Sequence, residues 1–260
     1  MKIATWNVNS VKARLETVTA WLKDFGPDVV CLQEIKCTDD TFPRAAFEDL
    51  GYNCAVHGQK TYNGVAILST RPLEDVTPRL PGGDGDEHAR YLEAVVTGDK
   101  GVIRVVSIYA PNGNPIGTEK FEYKLKWLER LRDRAAELLT FEEPAALMGD
   151  FNVIPESDDC HDPAAWMNDA LFQPESRAAL RRVENLGWQD AFRACNVQPN
   201  KYTFWDYQAG AWQKDHGIRI DLVLLSPQAL DRLKTCAIEK RVRGWDKPSD
   251  HVPVWCEIEV

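Results

Sequence analysis

The sequence predicts an α/β fold built as one large domain, and three observations carry that reading. Residues 2–32 read as strand, helix and strand. Residues 64–109 change to β-rich runs separated by Gly- and Pro-containing turns. Short apolar runs, AALMGD at 145–150 foremost, end in acids or amides at the strand exits where open α/β sheets place ligand sites.

Residues 2–8 alternate and are rich in β-formers, so they predict a strand ending at Asn7 to Asn9. Val11, Leu15, Val18, Leu22 and Phe25 then recur at helical spacing, with Asn9 or Ser10 as the cap and Gly26-Pro27 as the stop. The apolar run at 28–32 closes the unit and ends in Gln33-Glu34. An intervening helix favours parallel strands, which brings Asn7 and Glu34 to one edge. Residues 64–69, 91–97 and 102–109 predict antiparallel strands joined by hairpins, and the Gly-rich run 82–86 a mobile loop. Tyr109 stands at the exit of the third run. Residues 119–139 predict a helix with Phe121, Leu125, Leu128, Leu131 and Leu138 on one face and a solvated Lys/Arg face opposite.

The run at 145–150 is a buried strand delivering Asp150 and Asn152, which on their own read equally as turn formers and as working groups. A loop containing Cys160 and His161 leads to a helix near 176–186. Residues 202–212 are aromatic-rich without helical period, 218–225 (IRIDLVLL) predict a strand carrying Asp221, and 252–260 a final half-buried strand just after Ser249-Asp250-His251. The two halves are loosely alike, each opening with strand, polar exit and helix.

Composition narrows the function classes. A chain of 260 residues with 44% hydrophobic content and nine tryptophans buries a sizeable core. The net charge of −9 argues against generic adhesion to polyanions, so a nucleic-acid partner requires a local basic face or bound cations. Seven cysteines without a CxxC pair read as reduced thiols, and no apolar run reaches membrane length. The expectation is a soluble, cytoplasmic protein, nucleoid-associated in a bacterium, acting as a monomer.

Asn7, Glu34, Tyr109, Asp150, Asn152, Asp221, Asp250 and His251 all lie at or near predicted strand ends. If those ends converge they form an acidic pocket with one imidazole. Mutually repelling carboxylates call for a cation, and oxygen donors suit Mg²⁺, with Mn²⁺ as a substitute. Such ions serve phosphate substrates, so the residues point to metal-dependent phosphoester hydrolysis.

The motifs TWNVNS (5–10), LQEIK (32–36), NGVAIL (63–68), YAPNG (109–113), MGDFN (148–152), YTFWDY (202–207), RIDLVLLS (219–226) and SDHVPV (249–254) together resemble, in order, those of the exonuclease III type of abasic-site endonucleases. The resemblance implies a four-layered α/β sandwich, two packed mixed sheets between outer helices, related to deoxyribonuclease I, with 1–260 as a single catalytic domain. It implies hydrolysis 5′ to abasic sites in duplex DNA, with 3′-to-5′ exonuclease activity and trimming of blocked 3′ ends. By resemblance, Glu34 is the principal metal ligand with Asn7 beside it and Asp250 adding to that site. Asp150 is the catalytic carboxylate, as base or acid; Asn152 orients the attacking water; Asp221 fixes His251; and Tyr109 contacts the phosphate.

The resemblance also assigns Phe204, Trp205 and Ile218 to an apolar pocket for an extruded baseless sugar, Arg90 and Lys120 to the DNA backbone, and Trp212 to a wedge in the duplex. Two features depart from the family pattern: the acidic net charge and the loop 208–217. The same metal core also serves inositol-polyphosphate phosphatases, sphingomyelinases and RNA deadenylases. LQEIK, YAPNG and RIDLVLLS favour the DNA-repair branch. A catalytically silent DNA-binding protein on this fold would lack an acid or the histidine, and none is missing.

Overall fold

The computed structural model describes residues 1–83 and 85–260. Its first half runs β1 (Lys2–Asn7), α1 (Leu15–Phe25), β2 (Val29–Gln33), α2 (Arg44–Glu48), β3 (Asn53–His57), β4 (Val65–Ser69), β5 (Leu73–Pro78), β6 (Tyr91–Thr97) and β7 (Val102–Tyr109). It continues through α3 (Glu119–Leu139), β8 (Ala145–Asp150), α4 (Pro163–Trp166), α5 (Pro174–Glu184), β9 (Gln189–Asp190) and α6 (Ala191–Cys195). The chain closes with β10 (Asp221–Leu225), α7 (Pro227–Leu230), β11 (Leu233–Ile238) and β12 (Val254–Ile258).

Period-two burial sorts these strands into two sheets. In β1, Ile3 points into the core between the sheets while Ala4 and Trp6 point outward under α1. On the outer face Trp6 meets Trp21 of α1 edge-on at 5.5 Å, and Phe25 continues the cluster. Truncating Trp6 or Trp21, both fully buried, costs about 3–5 kcal/mol. The other sheet does the same with Met148 inward and Leu147 outward against α3 and α5. The result is four layers, helix, sheet, sheet, helix, as expected.

Sheet order is β11-β12-β1-β2-β4-β3 in one and β5-β6-β7-β8-β10-β9 in the other. Each has a single parallel pair at its centre, β1–β2 and β7–β8, and antiparallel neighbours on either side. The loose likeness of the two halves is therefore a repeat of the pairing pattern. Its consequence is positional: the carboxyl ends of β1, β2, β7 and β8 and the amino ends of β10 and β12 share one edge. The parity that buries Ile3 between the sheets aims Asn7 there too, and that of Met148 does the same for Asp150.

Several expectations need correction. Helix α1 starts at Leu15 with Arg14 as its uncapped N-cap. Asn9 and Ser10 are instead held at positive φ, and Asn9 is drawn into the polar cluster by Lys36 and Asp250. Strand β4 pairs with β2 and β3, so it is not a hairpin partner of β6. The cationic face of α3 is not simply solvated: Arg134 and Arg130 pair with Glu93 and Asp86, and Lys124 is wholly buried. Strand β10 starts at Asp221, because Ile218 bridges to Phe204 and Cys160 instead. In the run 82–86 expected to be mobile, Asp84 lies outside the described residues and Asp86 is tied to Arg130 and Tyr123. All seven cysteines are free thiols. Among the described residues no helix is long and apolar enough to cross a membrane.

Gly149 is required by the close β7–β8 approach that aims Asp150. A Cβ there would stand 1.9 Å from Ile108 O, on a backbone at φ +152°. Gly149→Ala is expected to lower stability by about 3 kcal/mol in urea unfolding; a loss under about 1 kcal/mol would show that the strand pair yields without cost.

Candidate active site

The turn after β2 puts Glu34 at φ 51°, and the turn after β8 puts Asn152 at φ 49°. Asparagine tolerates this left-handed region better than most residues, and at Glu34 the surroundings hold it there. Ile35 N and Lys36 N donate to Gly64 O and Asn63 O, anchoring the turn to the neighbouring loop. Ser249 Oγ donates to Asn7 O at 2.7 Å and accepts from His251 N, and Trp6 Nε1 donates to His251 O at 3.0 Å. The segment carrying His251 is thus tied to β1. Beneath lies a polar layer: Gln33 Nε2 donates to Thr5 Oγ1 at 3.0 Å and to Ser107 Oγ at 3.1 Å, across the two sheets.

On this floor the functional groups converge. Asn7 Nδ2 donates to Glu34 Oε1 at 2.8 Å and to Asp150 Oδ2 at 3.0 Å, one carboxylate from each sheet. His251 Nδ1 bonds Asp221 Oδ2 at 2.8 Å, leaving Nε2 facing Asp150 Oδ2 at 3.8 Å. Asn152 N donates to Asp150 Oδ1 at 2.9 Å, and its Nδ2 to Ala110 O at 2.8 Å. Lys36 Nζ pairs with Glu34 Oε2 at 3.0 Å. One donor atom each from Glu34, Asp150 and His251 lie within 4.8 Å of one another.

Burial and charge set the protonation states. Burial pushes the Asp150 carboxyl up, and Asp221 and Glu34 add to it against the pull of His251, giving a pKa of about 7. Burial opposes charge on His251, but Asp221 outweighs it and raises the imidazole to about 10. The second oxygen of Asp221 has no partner among the described residues, so its charge is spent on His251. Burial also works against the Glu34 carboxylate, yet Lys36 and Asn7 hold it below the usual range. Burial, then Glu34 and Asp150, push the Tyr109 phenol far up, so it is neutral. The Arg90 guanidinium lies 4.8 Å over that ring and donates to Tyr109 O.

These groups line a cavity of about 240 Å³ that includes Glu34, Tyr109, Asp150, Asn152, Asp250 and His251. Larger depressions lie beside Trp245 and beside Val76, and neither holds such a constellation. One wall of the catalytic cavity is apolar, formed by Trp166, Leu171, Phe204 and Ile220. Phe204 packs edge-on to His251, with ring centres 4.9 Å apart.

The structure brings Asn7, Glu34, Tyr109, Asp150, Asn152, Asp221, Asp250 and His251 together and corrects others. Asn7 turns its amide nitrogen to both carboxylates while its Oδ1 accepts from Asn9 N, so it organises the two acids. Trp205 and Ile218 are buried behind the wall, Trp205 being held by Asp215, and neither lines the cavity. Trp212 is not a free wedge: it is half-buried, edge-on to Trp205 at 5.1 Å with Arg243 and Lys240 over its ring. Lys120 is exposed in the first turn of α3. Sequence reasoning missed Asn9, whose Nδ2 donates to Asp250 at 3.1 Å, and Asn112, whose Nδ2 reaches Asn152 Oδ1 at 3.4 Å. Asn112 stood inside the YAPNG motif. Trp166, ending the four-residue helix α4, and Leu171, in the turn after it, carried no signal because the stretch is too short to show a period.

The His251 assignment is open to a direct check. Its folded pKa exceeds the ordinary 6.5, so the Asp221 pair stabilises the fold fully below pH 6.5 and the benefit disappears as pH rises through about 10. In Asp221→Asn the largest influence favouring the charged ring is lost, leaving only Asp150 and Asp250 to oppose burial, and the His251 pKa is expected to fall well below that of the parent. Histidine ¹⁵N NMR at pH 8 should show imidazolium in the parent and neutral imidazole in the variant; the same protonation state in both would refute the pairing's effect.

Comparison with known proteins adds an independent line. The profile of the Endonuclease/Exonuclease/phosphatase family matches residues 4–251. The chain is 32% identical over 267 positions to the exodeoxyribonuclease III of Haemophilus influenzae, covering 100% of both chains. It is similar in structure to an AP endonuclease from Archaeoglobus fulgidus, with TM-score 0.95 and 38% identity over 100% of both chains. It is equally similar to the 3′ phosphatase NExo from Neisseria bound to a product DNA hairpin, with TM-score 0.96 and 37% identity over 100% of both chains.

Proposed function

Because the chain belongs to the Endonuclease/Exonuclease/phosphatase family, we propose that it is a DNA-repair phosphodiesterase that incises duplex DNA 5′ to abasic sites and trims blocked 3′ ends with 3′-to-5′ exonuclease activity. The observation that carries the reading is the His251–Asp221 pair facing Asp150 beside Glu34 in one cavity with an apolar wall. The relatives named as exodeoxyribonuclease III and AP endonuclease support it. Both sheets contribute to the cavity, which supports one catalytic domain over 1–260, and a single chain supplies every group, which supports action as a monomer. The seven free thiols support a reducing, cytoplasmic setting.

Glu34, with Asp250 in the same cavity, offers carboxylate oxygen to one hard divalent ion, Mg²⁺ or Mn²⁺. His251, charged and donating, is unsuited as its ligand. The ion, when bound, neutralises charge on the phosphoryl oxygens. The chain's own residues do the rest. His251 holds its proton toward the phosphate oxygen, the neutral Tyr109 hydroxyl donates a second hydrogen bond, and Asn152, fixed by Ala110 O, orients water. Asp150 exchanges a proton at the water or the leaving oxygen. The wall of Trp166, Leu171, Phe204 and Ile220 accepts a sugar lacking its base. Arg90, on the ring of Tyr109, and Lys120 offer charge to flanking phosphates.

The test is incision of a duplex carrying one tetrahydrofuran abasic analogue. Activity should need Mg²⁺ and vanish in excess EDTA. Asp150→Asn should lower single-turnover incision by about 10³-fold with duplex Kd within about threefold of the parent. Undiminished cleavage in EDTA, or equal rates for variant and parent, would overturn the assignment.

A further inference from the structure

Helix α3 carries a lysine that the reaction scheme does not use. Lys124 is fully buried, and a methionine of similar length would fill the space without desolvating a charge. Burial is the first influence on it and lowers its pKa to about 7, offset in part by Asp150 and Asp169. Buried lysines are ordinarily paired with a carboxylate. Lys124 Nζ donates instead to two backbone carbonyls, Asn112 O at 3.0 Å and Asn152 O at 2.5 Å.

Those carbonyls belong to two different loops, one after β7 and one after β8. The side chains of both residues line the cavity and meet each other at 3.4 Å. Asn152 sits at φ 49°, and its N–H donates to Asp150 Oδ1. The turn that orients the water-holding amide and the catalytic carboxylate is therefore pinned from below by one buried amino group. Gly113 packs so closely on the lysine stem that a Cβ there would lie 2.5 Å from Lys124 Cδ. Loop and lysine are fitted to each other.

We propose that Lys124 is a positioning residue, a clamp joining the loops after β7 and β8 that sets Asn152 and Asp150 in register for the chemical step. It touches neither substrate nor reacting atoms. Misplacement of a reacting group by a fraction of an ångström is enough to slow chemistry while leaving a large binding surface unaffected. The inference rests on reading the cavity as a phosphodiesterase site.

The experiment compares the parent with Lys124→Met and Lys124→Arg on the abasic-analogue duplex in Mg²⁺, measuring single-turnover rate, duplex Kd and Tm. If the parent does not incise, the functional reading fails and not the clamp. With an active parent, Lys124→Met is expected to fold, bind DNA within about threefold of the parent and cleave at least about tenfold more slowly. Lys124→Arg, which keeps N–H donors at the end of a side chain of similar reach, is expected to recover a large part of the rate. A Lys124→Met rate within about twofold of the parent, or rate and binding lost together, overturns the clamp. So does a Lys124→Arg that folds without gaining rate over Lys124→Met. If Lys124→Met and Lys124→Arg both fail to fold, the lysine is a folding determinant and the proposal is withdrawn.

Discussion

The structure depends on how the seam between its two sheets is closed at one edge. Asn7 Nδ2 reaches a carboxylate of each sheet, Glu34 and Asp150. His251, tied to β1, bonds Asp221 of the opposite sheet, and Gln33 crosses to Ser107 one layer lower. These bonds run between sheets where the rest of the interface is apolar. Unpaired, each of these groups would cost about 1–3 kcal/mol or more, the carboxylates most. The two sheets must therefore meet in one register, and the alignment that satisfies the bonds is also the alignment that assembles the cavity.

The seam also explains how an acidic chain can hold a cationic side chain beside its buried acids. A net charge of −9 describes the whole molecule, but at the cavity the acids are offset by Lys36, paired with Glu34, and by a charged His251. Lys36 keeps Glu34 ionised from outside, while burial pushes the carboxyl of the more deeply enclosed Asp150 up. Two carboxylates a few ångströms apart thus have different affinities for protons, which suits one to hold a cation and the other to exchange a proton. Distance from solvent and distance from a lysine make that distinction.

Much of this was legible in the sequence because it follows from period and direction. Alternation in β1 and the apolar run of β8 fix which side chains face inward, and the intervening helices predict the parallel pairs that bring Asn7, Glu34 and Asp150 to one edge. What escaped depended on contacts that no period encodes. Asn9 reads as a helix cap because its short amide suits that role, yet Asp250 and Lys36 compete for it successfully. Lys124 reads as one more solvated cation on a charged helix face, since its carbonyl partners are backbone atoms of distant loops. Trp205 flanks a wall residue, Phe204, and one step along an extended segment turns a side chain from the cavity to the core, whereas Ile218, two positions before the wall residue Ile220, is drawn away by its bridges to Phe204 and Cys160.

The repeated pairing pattern gives the site its division of labour. Equivalent strand ends contribute Asn7 and Glu34 from the first sheet and Tyr109 and Asp150 from the second. Each sheet thus offers one acid from the second strand of its parallel pair and one hydrogen-bonding group from the first. The flanking antiparallel strands β12 and β6 are preceded by cationic groups, His251 and Arg90, the second stacked on Tyr109. A single sheet would hold its carboxylate at a solvated edge where its charge is screened and its pKa ordinary. Packing two such edges face to face excludes water from Asp150 and brings the His251 of one sheet within 3.8 Å of the carboxylate of the other. The perturbed protonation states arise from that pairing of sheets, and neither half of the fold would produce them alone.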